Sequence, residues 1–230
     1  MSPSESRRMI VVHHLEDSRS QRVLWLLEEL GTPYEIKRYR RDPKTKLAPP
    51  ELLAVHPLGK SPVIVDGGLA IAETGAIVEY LVGRYGAGRL DAPTTEADRL
   101  QYTYWMHFAE GSAMPPAVMK LLFSLLPSMV PFWMRPFAVL IAAGADQRFL
   151  DPTLSRQFHF IEAKLARDPW FAGPRLSGAD IMMSFPIETA AARGGLADYP
   201  DTMSWLEKIH DLPAFQAALE RGGPYAYAAP

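Results

Sequence analysis

Two stretches of this chain place hydroxyl side chains where a helix begins. Ser18-Arg19-Ser20-Gln21-Arg22 runs into the apolar repeat Val23, Leu26, Leu27 and Leu30, and Glu73-Thr74 runs into a second repeat from Gly75. The first amides of a helix lack intrahelical acceptors and carry the positive end of its dipole, so each start can hold an anion. A hydroxyl there can donate to a carboxylate or a thiolate. The same residue types also serve as plain caps, and Asp17 and Ser20 compete with Ser18 for that role. A third start, Ser177-Gly178-Ala179-Asp180, has capping-box spacing and is assigned to folding.

Other chemistries are excluded or unsupported. The chain has 0 Cys, which removes disulfides, thiolate nucleophiles and thiolate metal sites. His13 and His14 alternate on an expected strand, and His107, His159 and His210 have no ligand spacing, so no metal is expected. A net charge of -2 argues against nucleic acid as a partner. Between Ala113 and Ala145 the only charges are Lys120 and Arg135. The longest uncharged run there, Leu121 to Met134, is about 14 residues against the ~20 of a spanning helix. A buried or pocket-lining helix pair is therefore expected, with Phe123, Phe132 and Trp133 as core or pocket wall, and no membrane partner.

The elements that must position the hydroxyls fall into two kinds. Met9-Ile10-Val11-Val12 reads as a buried strand, Gly31 and Pro33 close the first helix, and Tyr34 to Tyr39 reads as a second strand. Two short strands flank Asp66-Gly67-Gly68 as a hairpin, and Ile77, Val78 and Leu81 mark the next helix. The order βαβ then ββα implies an α/β sheet of four strands. Beyond Pro93 the strand signal ends. Thr95-x-x-Asp98 opens a helix that Pro115-Pro116 should kink or end, and further helices are expected near 132–149, 153–167, 178–192, 200–210 and 213–221. The expected division is 9–87 and 95–230, with 1–8 as a loose extension.

Taken together, the Ser18 helix start, Trp25-Leu26-Leu27-Glu28-Glu29, His56-Pro57-Leu58-Gly59-Lys60-Ser61-Pro62 and Glu73-Thr74, followed by an all-helical half, resemble a cytosolic glutathione transferase of the serine-type bacterial and fungal branch. The resemblance implies a thioredoxin-like N-terminal domain and an all-helical C-terminal domain. It implies Ser18 as the hydroxyl that activates the glutathione thiol. Glu73 and Thr74 would hold the γ-glutamyl end, Ser61 and a cis Pro62 the cysteinyl backbone, and Lys60 or His56 the glycine carboxylate. Ser61 stands where the family usually has an apolar residue, and Thr74 where serine is commoner. His107, Glu110, Gly111 and Met114 share one stripe of a helix and Tyr104 and Phe108 a neighbouring one, and the resemblance implies that this helix lines both a second-substrate pocket and a dimer contact. The implied protein is a cytoplasmic homodimer with no tightly bound cofactor. It would use glutathione against an apolar electrophile or a hydroperoxide, or else bind glutathione conjugates or a protein partner without catalysis.

Overall fold

The structure, a computed structural model, describes residues 9–45 and 47–228; the expected extension at 1–8 lies outside them. The first apolar run becomes β1 (Ile10–Leu15), which ends three residues later than hydropathy suggests. His13 and His14 extend it because each finds a buried partner, the Tyr39 hydroxyl at 2.8 Å and the Ser20 hydroxyl at 2.8 Å. The chain then forms α1 (Ser20–Leu30), closed by Gly31 at φ 61°. β2 (Tyr34–Tyr39) returns parallel to β1.

β3 (Val63–Asp66) lies antiparallel on the other side of β1 and is joined to β4 (Leu69–Ala72) by Gly67 and Gly68. Both glycines have positive φ, 59° and 94°, which the tight hairpin requires. The sheet order is β2-β1-β3-β4, and α2 (Thr74–Tyr85) completes a thioredoxin-like half.

The rest is helical. Thr95 caps α3 (Glu96–Phe108), its hydroxyl accepting from the Asp98 amide at 3.1 Å. The proline pair does not end the helix. A π-helical turn at Ala109–Ala113 leads into α4 (Met114–Met129), and Pro115 and Pro116 sit in its first turn, where a missing N–H costs little. A tight turn at Phe132–Met134 leads to α5 (Arg135–Ala145), and a second π-helical turn at Asp146–Leu150 to α6 (Asp151–Leu165). Then come α7 (Gly178–Ala191), α8 (Pro200–His210) and α9 (Pro213–Gly222).

One core joins the halves. α7 is buried along most of its length and packs on α1, α2 and α3, while Trp25 of α1 meets Phe215 of α9 edge-on at 5.4 Å. The exception is the α4–α5 hairpin, which sequence reading expected to be buried or pocket-lining. It lines an open groove between its own helices, with Phe123 in the wall, but it is mostly exposed. Within α5 only Ala138 and Ala142 are buried. Hydropathy marked the stretch as apolar, but the hairpin packs chiefly on itself and little on the bundle.

Candidate active site

The site forms where three connections of the N-terminal half meet the helical half. The first is the link from β1 to α1. Ser18 is buried, and its hydroxyl donates to the Leu15 carbonyl at 2.7 Å or to the Ser20 hydroxyl at 2.7 Å. Ser20 is completely buried and meets Nδ1 of His14 at 2.8 Å. Burial, with Arg38 nearby, pushes His14 down to about 4, so the imidazole is neutral at physiological pH and has one N–H. The result is a short hydroxyl chain from His14 through Ser20 to Ser18. Ser18 is not the N-cap of α1; Arg19 holds that position without a side-chain cap, and the Ser18 hydroxyl accepts only a 3.3 Å contact from the Ser20 amide.

The second connection precedes β3. The Ser61–Pro62 peptide is cis. The Ser61 hydroxyl donates to the His13 carbonyl at 2.8 Å and accepts from the Leu15 amide at 3.2 Å. This explains a polar residue at this point: its side chain continues the β1–β3 pairing. Just upstream, His56 Nδ1 accepts from the Leu58 amide at 3.3 Å, in a turn that needs Gly59 at φ 57°. A side chain at Gly59 would also run into Leu53.

The third connection links β4 to α2. Glu73 holds φ 68° and ψ 121°, a conformation costly for any residue but glycine, and such outliers gather at functional sites. Its carboxylate and the Thr74 hydroxyl have no hydrogen-bond partner among the described residues, although Thr74 is 4% exposed. They stand at the N-terminus of α2, where the dipole favours an anion.

These segments enclose a cleft of about 230 Å³. All six residues expected to bind glutathione, His56, Lys60, Ser61, Pro62, Glu73 and Thr74, line it. Arg19, Leu58, Ala72 and Glu110 complete the wall; Ser18, the residue before Arg19, is buried and is not among the lining residues. The residues expected in a second-substrate pocket do not reach it. Tyr104 and Phe108 stack on each other at 5.7 Å and pack with Trp105 and Phe160. His107 and Gly111 are exposed, and Met114 is buried. The π-helical turn at Ala109–Ala113 shifts the phase of Gly111 and Met114 relative to α-helical spacing, while Tyr104 and Phe108, which precede it, are held by the aromatic cluster.

Glu110, expected on the stripe with His107, does reach the cleft, but its pairing with two arginines of α1 was not expected. It projects from that π-helical turn toward α1, accepts from Arg19 Nε at 3.0 Å on both oxygens, and pairs with Arg22. Arg22 is 1% exposed and also donates to the Met182 carbonyl at 2.5 Å. Burial pushes the Glu110 carboxyl up, but Arg22 and Arg19 outweigh it and hold the group below its usual range. A lone carboxylate amid apolar helix residues was the available signal, since a buried charge needs a partner. Glu110→Gln should destabilise the chain by about 2 kcal/mol, less than for a fully buried pair because a third of the Glu110 side chain meets water. With the folded pKa below 4.5, that contribution should hold at neutral pH and vanish as pH falls through the folded value. Denaturant midpoints against pH for both proteins check this.

Family descriptions for the glutathione S-transferase N-terminal and C-terminal domains match residues 7–83 and 116–213. Glutathione S-transferase 3 of Schizosaccharomyces pombe is 38% identical over 215 residues, covering 93% of this chain and 88% of the relative. The chain belongs to the glutathione S-transferase family. Glutathione S-transferase 1 of Saccharomyces cerevisiae is 34% identical, covering 93% of this chain and 95% of its own length. Among solved structures, a glutathione S-transferase from Actinobacillus pleuropneumoniae superposes with a TM-score of 0.79 at 31% identity, over 96% of each chain.

Proposed function

We propose that this glutathione transferase binds glutathione in the cleft with its γ-glutamyl carboxylate on Thr74 and the first amides of α2, and its amino group on Glu73. The cysteinyl part pairs with the Ser61 backbone before Pro62, and Lys60 or His56 takes the glycine carboxylate. The thiol then points to Ser18, which donates to the thiolate. Sulfur attacks an apolar electrophile to form a thioether and expel the leaving group, or attacks a hydroperoxide oxygen. The latter breaks the O–O bond to release an alcohol, leaving a glutathione sulfenic acid that a second glutathione converts to the disulfide and water. The observation that carries this reading is the convergence of residues from separate connections on one cleft, with the Glu73 carboxylate and Thr74 hydroxyl unpartnered. The chain would act as a cytoplasmic homodimer of the serine-type branch, with 9–87 binding glutathione and 95–230 shaping the co-substrate side. Near Arg19 that side offers Phe185, whose ring lies 5.2 Å from the guanidinium, and Tyr227 packed edge-on against Phe185.

One observation favours a non-catalytic binder of glutathione conjugates: the Ser18 hydroxyl already has internal acceptors. Retention on immobilised glutathione, followed by turnover with a panel of electrophiles and hydroperoxides, separates the two readings. Retention with turnover supports the transferase; retention without turnover supports the binder. Glu73→Gly gives a sharper check. Relief of the positive φ should raise stability by about 1 kcal/mol, while loss of the carboxylate should weaken glutathione binding ~10-fold or more. A variant that is both less stable and equally retentive would contradict the assignment.

A further inference from the structure

The residue before Ser18 is held by a segment that lies beyond α9. Glu16 to Arg19 link β1 to α1, and within that link the Ser18 hydroxyl donates back to the Leu15 carbonyl at 2.7 Å. Where Ser18 sits therefore depends on Asp17, whose φ of 46° lies in the left-handed region. Aspartate and asparagine tolerate that region better than most side chains, but it still costs energy. The Arg41 guanidinium donates to the Asp17 carbonyl at 3.3 Å. The Asp17 carboxylate accepts the amide of Ala226 at 2.7 Å, from 209 residues away.

The segment that supplies this amide is itself anchored. Tyr225 donates its hydroxyl to the buried Glu188 at 2.6 Å, and Tyr227 packs edge-on against Phe185 with ring centroids 5.7 Å apart. Both partners belong to α7. Ala226, between the two tyrosines, is thus presented to Asp17 from a fixed support, and the Ala228 amide closes a turn on the Tyr225 carbonyl at 3.1 Å. Stability alone does not call for this arrangement. Glycine at 17 would relieve the backbone, and α7 already seats the segment, so what the carboxylate adds is a tie between that segment and the Ser18 link. We propose that Asp17 and the Ala226 amide are positioning groups for Ser18, clamping the strained link so that the hydroxyl is aimed at the glutathione thiol. This rests on the reading of Ser18 given above.

Three variants of the full chain test the clamp, read by turnover of glutathione with chlorodinitrobenzene and by thiolate absorbance of bound glutathione against pH. Asp17→Gly relieves the backbone and removes the acceptor. Asp17→Asn keeps an acceptor and tolerates the left-handed region. Ala226→Pro removes the amide hydrogen at the second residue of the Tyr225–Ala228 turn, a position that suits proline. Asp17→Gly and Ala226→Pro should each lower kcat by ~3- to ~10-fold and raise the bound thiol pKa by ~0.5–1 unit, with KM for glutathione unchanged. The double variant should be no worse than either single one, because both cut the same bond. Asp17→Asn should recover most of the rate. Lower denaturant midpoints with an unmoved titration would overturn the proposal, as would effects that add in the double variant. Ser18→Ala is the control. If it too leaves the titration unmoved, the reading of Ser18 fails and takes the clamp with it. If it shifts the titration while Asp17→Gly and Ala226→Pro do not, only the clamp falls.

Discussion

Ser18→Ala should slow thioether formation at neutral pH by ~10- to ~100-fold, because a charge-assisted hydrogen bond contributes roughly 1.5–3 kcal/mol. Glutathione affinity should change little. The proposed binding contacts lie at Glu73, Thr74 and Ser61, none of which touches the Ser18 hydroxyl. Raising the pH should recover part of the lost rate, since more thiol then ionises unaided. Steady-state kinetics against pH read both effects. A drop in affinity with an unchanged maximal rate would make Ser18 a binding or folding residue.

Asp180→Ala should be the most destabilising of these substitutions, at about 3 kcal/mol. A lost cap alone costs ~0.5–2 kcal/mol. Here the carboxylate is fully buried and accepts from the Phe171 amide at 3.0 Å, the Ser177 amide at 3.0 Å and the Ser177 hydroxyl at 2.9 Å. Alanine would leave those donors buried without acceptors, which adds to the loss. Burial pushes the Asp180 carboxyl up to about 6 from an ordinary 3.8, so its stabilisation is full below the lower value and falls as pH rises through the higher one. The gap between wild type and variant should narrow across that window. Denaturant midpoints test the size and sign, and glutathione affinity in the folded protein should be unchanged. An unaltered midpoint with lost affinity would reverse the assignment.

The strand and helix order was legible because it rests on local signals. Gly31 ends α1, Gly67-Gly68 turn the hairpin, and Thr95 caps α3, each through its own backbone or side-chain geometry. The cleft residues were legible for a different reason: their motifs resemble those of a family in which the same order recurs. What the sequence left hidden depends on contacts between distant segments. Glu110 meets Arg19 and Arg22 from 91 and 88 residues away, and only after a π-helical turn that no periodicity announces. The pairing of His14 with Ser20 needs strand and helix packed together first. The exposure of Phe132 and Leu140 was unreadable because an apolar residue in the core and one left on the surface look alike in one dimension.

The structure also narrows which groups can replace Ser18. Ser20 is completely buried and engaged with His14, and the terminal nitrogens of the buried Arg22 are held by Glu110 and the Met182 carbonyl. That leaves Arg19 or the backbone as fallback donors. The most direct measurement is thiolate absorbance against pH for glutathione bound to wild type, Ser18→Ala and Ser20→Ala. The bound thiol pKa should lie below the free value in wild type, rise by ~1–2 units in Ser18→Ala and move much less in Ser20→Ala. A titration that only Ser20→Ala shifts, or that neither variant moves, would contradict Ser18 as the activating hydroxyl.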